Sequence, residues 1–243
     1  MISEYYGFAR SWLIYRGQFW RRRRTRALYR RFLGPDSLAF DIGAHVGNRV
    51  TAWRSLGARV VAVEPQPLFA RYLRNWVADE EVEVLECALS NHPGNAALYT
   101  SSTNPTVSTL SVEWKEQVAR DPGFEKVDWD GQSAVEVRTL DQLIERFGIP
   151  DFCKIDVEGA ERAVLEGTRI ALPALSFEAL PAARGDALEV LGLLSARGDY
   201  RFNWSPSESM TLAWDEAGDA ITAQNFLQTF EGASGDIYAW LAD

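Results

Sequence analysis

The chain has 243 residues, 47% of them apolar, and a formal net charge of −9. This length suits one globular domain with appendages. No apolar run is long enough for a transmembrane helix, and the N-terminus lacks a signal-peptide pattern, so we expect a cytoplasmic protein. Two cysteines and two histidines exclude a disulfide framework and a multi-histidine metal site.

The N-terminal segment differs in charge from the rest of the chain, because residues 1–34 contain nine arginines and one acid. Its aromatic residues recur at helical spacing: Tyr5, Phe8, Trp12, Tyr15 and Phe19. We predict a basic, aromatic helical arm over residues 1–36 that packs on a domain spanning 37–243. A second interpretation is an amphipathic element that contacts an anionic membrane peripherally, or an acidic substrate. The acidic remainder is not typical of a protein that binds nucleic acid.

From residue 37 onwards, apolar strands alternate with helices. The predicted strands are 37–42, 58–64, 82–89, 134–140, 151–157, 174–180, 200–204, 210–214 and 236–242. The predicted helices are 48–56, 67–77, 141–147, 160–167, 185–197 and 222–230. The irregular stretch between 90 and 133 has a candidate hairpin around 96–102. This alternation indicates an α/β protein with a doubly wound, mostly parallel sheet.

The first strand ends in "FDIGAHVGN", at the sheet edge where open α/β folds bind ligands. We expect Gly43 to let a ligand approach the backbone, and Gly47 to let the next helix pack closely. The G-x-x-x-G spacing is neither a dinucleotide motif nor a phosphate loop. Asp41 would repel a pyrophosphate and attract an ammonium group. An amino-acid-like ligand is therefore predicted at Asp41, Gly43, Ala44 and Gly47.

The second strand ends at Glu64, 21 residues after Gly43, where an acid can accept hydrogen bonds from both hydroxyls of a ribose. Pro65 then turns the chain away. The third strand would end along an adenine ring, at Cys87, Ala88 and Leu89, although an ordinary strand end is the alternative. A ligand with an amino-acid head, a ribose and no pyrophosphate is S-adenosylmethionine.

The second dense motif is "DFCKIDVEGAE". In a strand, Lys154, Asp156 and Glu158 share one face. Three charges there would be costly unless they are paired or functional. We expect Asp156 and Glu158 to face the transferred methyl group and its acceptor, and Gly159 to allow the turn into the helix. Lys154 is predicted to pair with Asp156 or with Glu178, which ends the next strand.

Six stretches together resemble the FkbM family of S-adenosylmethionine-dependent methyltransferases: "FDIGAHVGN", "VVAVEPQP", "ALSNHPGNAAL", "VRTLDQLI", "KIDVEGAERAVLEG" and "LSFEAL". The resemblance implies the class I methyltransferase (Rossmann-like) fold, with seven strands of which the last is antiparallel. It also implies methyl transfer to a hydroxyl of a sugar, glycoconjugate or polyketide-like acceptor. Many relatives have Asn where this chain has His45.

Transfer to a hydroxyl calls for a general base, for which the candidates are Asp156, Glu158 and His45, in that order. His45 titrates near neutral pH, but its ring could equally be bonded to the backbone. A divalent metal, Mg²⁺ or Mn²⁺ on Asp156 and Glu158, could instead lower the pKa of the hydroxyl. We do not favour this metal and assign no metal ligand.

Other functions have weaker support in the sequence. An NAD(P)-dependent Rossmann oxidoreductase would need the missing G-x-G-x-x-G motif. A membrane-associated, non-catalytic binding protein is disfavoured by the intact Gly43, Gly47, Glu64 and Asp156. A nucleic-acid methyltransferase is disfavoured by the acidic body.

The acceptor pocket is predicted between residues 90–133 and 200–230. Four tryptophans there could stack on a sugar or pack in the core: Trp114, Trp129, Trp204 and Trp214.

Overall fold

The computed structural model describes residues 7–10, 12, 19–121 and 123–242. The helices are α1 (Phe19–Tyr29), α2 (Asn48–Arg54), α3 (Pro67–Trp76), α4 (Val112–Val118), α5 (Leu140–Phe147), α6 (Glu161–Glu166), α7 (Arg184–Arg197) and α8 (Ala220–Thr229). The strands are β1 (Leu38–Ile42), β2 (Arg59–Val63), β3 (Val82–Leu85), β4 (Ala88–Leu89), β5 (Gly94–Thr100), β6 (Gly131–Arg138), β7 (Phe152–Ile155), β8 (Ala174–Ala179), β9 (Tyr200–Pro206) and β10 (Gly235–Leu241). Short 3₁₀ turns lie at Pro105–Val107 and Pro181–Ala183.

The main sheet has seven strands in the order β3-β2-β1-β7-β8-β10-β9. Neighbours from β3 to β8 pair in parallel, and β10 is antiparallel to both β8 and β9. This confirms the predicted doubly wound sheet with an antiparallel last strand. The chain order reverses between β1 and β7, so the carboxyl ends of these two strands open a crevice.

The predicted strand 82–89 is divided between two sheets, which corrects the sequence-based assignment. β3 pairs with β2 only as far as Leu85, because β2 ends at Val63, just before Glu64 and Pro65. Beyond that point the chain leaves the main sheet. Its next strand, β4, pairs with β6 in a three-stranded sheet of order β4-β6-β5. β5 and β6 are antiparallel. The strand predicted around 96–102 is therefore present, but it pairs with the distant β6 and not within a local hairpin.

The predicted strand 210–214 is wrong, because this segment forms a loop. Hydrogen bonds from the side chain of Asn203 hold this loop, which has no backbone pairing of a strand. The Asn203 amide nitrogen donates to the Trp214 carbonyl at 2.9 Å, and its Oδ1 accepts from the Trp214 N–H at 3.0 Å.

Helices cover both faces of the main sheet, as the unbroken apolar strands require. On the face that carries α1 and α2, Tyr29 packs edge-on against Trp53 and Phe152. The opposite face holds a second apolar cluster, beneath α5, α6, α7 and α8.

The described part of the arm packs on the body. Leu28 and Tyr29 of α1 are buried, and Phe8 lies 5.3 Å from Phe69, ring centroid to ring centroid. Tyr5 and Tyr15 lie outside the described residues, as does the side chain of Phe19. Among the helices that the structure describes, none combines the length and the hydropathy needed to cross a bilayer.

Candidate active site

Two adjoining clefts open at the carboxyl ends of β1, β2 and β7. The apolar cleft, of about 560 Å³, is lined by Ile42, Gly43, His45, Val63, Glu64, Pro65, Gln66, Cys87, Ala88, Leu89, Leu98, Pro105, Thr106, Ser108, Leu110, Asp156, Val157, Glu158 and Ala160. The polar cleft, of about 660 Å³, is lined by Asp41, Gly43, Ala44, His45, Val46, Asn48, Arg49, Thr106, Lys154, Asp156, Glu158, Glu178 and Glu208. They share Gly43, His45, Thr106, Asp156 and Glu158.

Gly43 lies where the two clefts meet. Its backbone has a φ of +88°, and a Cβ there would collide with the carbonyl of Asp156. The N–H groups of Gly43 and Ala44 donate to the Val63 carbonyl at 2.9 and 3.0 Å. The glycine therefore lets the β1 turn approach the end of β7, a protein contact that the sequence did not indicate.

Gly47 has a different role in the turn. Its φ is +73°, and a Cβ would contact the side chains of Leu73 and Val77. The close helix packing that we expected of Gly47 is therefore present, against α3. Gly47 lines neither cleft, so its contact with a cofactor stays a prediction.

Asp41 and His45 occupy opposite ends of the glycine turn. Asp41 is only 2% exposed, and its Oδ2 accepts no hydrogen bond from the described residues. Burial raises the pKa of Asp41 to about 6, against the opposing charges of Lys154 and Arg49. The ring of His45 lies 4.4 Å from that of Phe69, and burial lowers the His45 pKa to about 4. A neutral His45 is therefore a weak base at pH 7.

Glu64 faces the apolar cleft from the end of β2. Its Oε2 accepts the His45 N–H and its Oε1 accepts the Gln66 N–H, each at 2.9 Å. Burial raises the pKa of Glu64 to about 7, although these two backbone donors oppose the shift. A carboxylate oxygen can accept more than one hydrogen bond, so the group retains capacity for a ligand donor.

The remaining expected cofactor residues line the apolar cleft: Pro65, Cys87, Ala88 and Leu89. Burial raises the pKa of the Cys87 thiol to about 11, so it contributes apolar surface and no charge. The irregular segment 90–133 contributes the opposite wall through Leu98, Pro105 and Leu110.

Pairing of the strands places a row of charges under the polar cleft. Lys154 is opposite Asp41 in β1, while Glu178 is opposite Asp236 in β10. Alternate residues share a face, so Asp156 follows Lys154 on the same side of the sheet. Lys154 Nζ donates to Asp156 Oδ2 at 2.8 Å and lies 3.5 Å from Asp236 Oδ1. The predicted ion pair with Asp156 is present.

Arg49 is a site residue that sequence reasoning missed. It enters the polar cleft from α2, 3.2 Å from Glu208 Oε2 and 4.0 Å from Asp236 Oδ2. Its position two residues after Gly47 was the available signal. Glu208 lies in the loop after β9, and no local pattern distinguishes it from a surface acid.

Asp156, Glu158 and Glu178 bring carboxylate oxygens within 4.8 Å of one another. Burial alone would raise the pKa of Asp156, but the charge and hydrogen bond of Lys154 hold it below its ordinary value. Burial and the neighbouring acids raise the pKa values of Glu158 and Glu178 well above theirs. Of the three acids, Asp156 therefore ionises most readily.

The backbone around Glu158 is fixed from two sides. Glu161 accepts the N–H groups of Val157 and Gly159, both at 3.0 Å. Gly159 has a φ of +89°, and a Cβ there would collide with the ring of Trp114. The turn after β7 therefore holds Glu158, whose own φ is +55°, in a single position.

The four tryptophans expected near an acceptor pack elsewhere. Trp114 contacts Phe124 and Trp129, while Trp204 and Trp214 both contact Phe226. None of the four lines either cleft among the described residues. They are core or near-core residues, so stacking on a sugar is not supported.

A family model described as "Methyltransferase FkbM domain" matches residues 41–202, more than half of the chain. The protein belongs to the FkbM methyltransferase family. It is therefore a methyltransferase, with the class I methyltransferase fold that the order of its main sheet displays. S-adenosylmethionine is the methyl donor expected of such an enzyme.

Two curated proteins and several solved structures are similar to this chain. The hexuronic acid methyltransferase AglP of Haloferax volcanii is 27% identical over 206 residues, which are 80% of each chain. The methyltransferase sdnD of Sordaria araneosa is 32% identical over 159 residues, 56% of this chain and 61% of sdnD. A precorrin-6y C5,15-methyltransferase from Geobacter metallireducens aligns with a TM-score of 0.49 and 14% identity, covering 91% of this chain and 87% of that chain.

Proposed function

We propose that this methyltransferase transfers a methyl group from S-adenosylmethionine to a hydroxyl of a sugar, glycoconjugate or polyketide-like acceptor. The observation that carries the proposal is the meeting of an apolar and a polar cleft at Gly43, His45, Asp156 and Glu158. An adenosine suits the first cleft and a hydroxyl-rich acceptor suits the second. The methyl group would lie at their junction.

The residues of the apolar cleft and the glycine turn fit the cofactor. The buried Oδ2 of Asp41 lacks a donor among the described residues, which an ammonium group would supply. Glu64 would accept hydrogen bonds from the ribose, while Cys87, Ala88 and Leu89 would border the adenine. Ala44 and Pro65 would contribute surface at either end.

The bound cofactor supplies a methyl group on a positively charged sulfur, which an acceptor oxygen takes by in-line displacement. The enzyme's own task is to hold the acceptor in line and to receive its proton. Asp156 is the base that we prefer, because it lines both clefts and Lys154 keeps it ionised. His45 is less suited, because burial disfavours the cation that its ring would become on accepting the proton.

The polar cleft favours a neutral acceptor with many hydroxyl groups. Five carboxylates line it, and carboxylates accept hydrogen bonds from hydroxyls. The two cations of the cleft, Arg49 and Lys154, are already paired with protein acids. The name of AglP points to a sugar acid for that relative, whereas here a carboxylate on the acceptor would find no unpaired cation among the described residues of the cleft.

Calorimetry with S-adenosylmethionine and with NAD, followed by a methyl-transfer assay on neutral sugars, sugar acids and polyketide alcohols, tests the proposal. We expect cofactor binding and transfer to at least one neutral hydroxyl compound. Binding of NAD without S-adenosylmethionine would favour an oxidoreductase instead. Binding of neither at millimolar concentration would favour the non-catalytic alternative.

We also propose that α1 contacts an anionic membrane peripherally. Arg22, Arg23 and Arg24 are exposed, while Leu28 and Tyr29 anchor the helix in the core. Deletion of residues 1–34 would remove those core side chains, so substitutions make the better test. Each arginine near an anionic surface contributes about 1 kcal/mol.

The double variant R23Q/R24Q should therefore bind phosphatidylserine vesicles roughly thirtyfold more weakly than the unaltered chain, at about 1 kcal/mol per arginine. The control R120Q/R169Q removes two exposed arginines from elsewhere and should bind normally. Equal binding by both variants would refute the role of α1, and so would the absence of vesicle binding by the unaltered chain.

A further inference from the structure

The acceptor side of the polar cleft contains more negative charge than the described protein groups compensate. Oxygens of Asp156, Glu158 and Glu178 all lie within 4.8 Å of one another. Lys154 bonds Asp156 and approaches Asp236, and it forms no ion pair with Glu158 or Glu178. Among the described residues, neither of those two carboxylates has a hydrogen-bond donor.

A second observation comes from the wall of the same cleft. Asp41 is 98% buried, it lines the cleft, and its Oδ2 has no donor among the described residues. It lies close enough to Asp156 for the two charges to repel. The shortage of positive charge therefore extends behind the three acids into the protein wall.

The charges of the cleft indicate the size of this shortage. Five carboxylates and two cations line it, which leaves three negative charges uncompensated when all are ionised. S-adenosylmethionine carries one net positive charge, since its sulfonium and ammonium groups outweigh its carboxylate. If every carboxylate is ionised, two negative charges would then remain, and Asp236 beneath the cleft would add to them.

We propose that Asp156, Glu158 and Glu178 bind one divalent cation. Three carboxylates from two adjacent elements offer the hard oxygen ligands that Mg²⁺ and Mn²⁺ prefer. The sequence alone suggested only Asp156 and Glu158 as ligands. Pairing of β8 with β7 adds Glu178, because Ser176 lies opposite Lys154 and Glu178 follows it on the same face.

The position of this cation assigns it to the acceptor. All three acids line the polar cleft, whereas Glu178 is absent from the apolar cleft that fits the adenosine. A hydroxyl bound to a divalent cation is oriented and has a lower pKa, so with the cation bound Asp156 would be a ligand and not the general base. An acceptor with two neighbouring oxygens could chelate the ion. The role in the reaction rests on the proposed function, whereas cation binding can be measured without cofactor or acceptor.

Titration of the full-length chain with Mn²⁺, followed by electron paramagnetic resonance of the free ion, tests the site. We expect one bound Mn²⁺ per chain, displaced by Mg²⁺. Glu178→Gln and Glu158→Gln should each weaken binding at least tenfold. The control Glu116→Gln removes an exposed acid from α4 and should bind like the unaltered chain. Thermal unfolding of each variant verifies that it is folded.

The proposal is overturned if the unaltered chain binds no Mn²⁺ at millimolar concentration. It is also overturned if folded Glu158→Gln and Glu178→Gln retain the affinity of the unaltered chain. Calorimetry with S-adenosylmethionine alone separates this failure from failure of the proposed function. If the chain binds the cofactor but no Mn²⁺, only the proposed cation site is refuted. If it binds Mn²⁺ but no cofactor, only the proposed role in methyl transfer is refuted.

Discussion

The two clefts that meet at Gly43 are built in different ways. The apolar cleft takes most of its wall from residues close in sequence to three strand ends, and its acid, Glu64, already accepts two backbone N–H groups. The polar cleft gathers acids and cations from five regions of the chain, represented by Asp41, Arg49, Asp156, Glu178 and Glu208. Among the described residues, Asp41 Oδ2 and the carboxylate of Glu178 have no hydrogen-bond donor.

This difference suggests a division of labour. A cleft whose polar groups are satisfied is preorganised for a ligand that is the same in every turnover. A cleft with uncompensated carboxylates depends on its ligand, or on a cation, to complete it. We therefore expect substitutions in the apolar cleft to change cofactor affinity and substitutions in the polar cleft to change turnover.

The largest expected effect is that of Asp156→Asn. Asparagine retains an acceptor for Lys154 but loses the charge and the basicity. We expect kcat to fall by roughly 10²–10⁴-fold, the usual contribution of a general base. The dissociation constant of S-adenosylmethionine should change little. Turnover assays, with an acceptor found by the methyl-transfer assay proposed above, and calorimetry measure the two quantities.

An exposed acid provides the control for this change. Asp128→Asn alters no residue of either cleft and should leave both constants unchanged. If Asp156→Asn lowers cofactor affinity as much as turnover, the two clefts do not separate cofactor binding from catalysis at Asp156. Asp156 would then be a cofactor-binding or structural residue.

The second effect concerns Glu64, in the apolar cleft. Glu64→Gln should weaken cofactor binding by about 1–3 kcal/mol, which is the scale of lost hydrogen bonds to a charged group. Turnover at saturating cofactor should change much less. Calorimetry measures the affinity, and Glu80→Gln, an exposed acid before β3, is the matched control. An unchanged dissociation constant would refute the ribose assignment.

The sequence predicted the sheet and much of the apolar cleft because their signals are local. A few consecutive residues are enough to predict each apolar strand, the glycine turn after β1 or the acid after β2. The polar cleft is different, since Arg49, Glu208 and Asp236 come together only through the pairing of β10 with β8 and the packing of α2. The sequence also could not show that β3 loses its partner at Val63, or that Asn203 holds 210–214 as a loop.

The smallest expected effect is a pH dependence of cofactor binding. Burial raises the pKa of Glu64 to about 7 in the free enzyme, so a fraction of the group is protonated at neutral pH. Ribose hydroxyls donate to the ionised form, and binding therefore releases a proton. By linkage, affinity should rise with pH up to and just beyond the raised pKa. Between pH 6 and pH 8 the change should be about tenfold for a single group of this pKa.

Glu64→Gln separates this effect from the other titrating groups. Asp41, with a pKa raised to about 6, and the ammonium of the cofactor would still titrate in the variant. Calorimetry at several pH values should show that the part of the dependence centred near pH 7 disappears with the carboxylate. If the variant keeps the full tenfold change, the titrating group lies in the polar cleft. The ribose hydroxyls would then not donate to an ionised Glu64. The affinity of the apolar cleft for the cofactor would come from its shape alone.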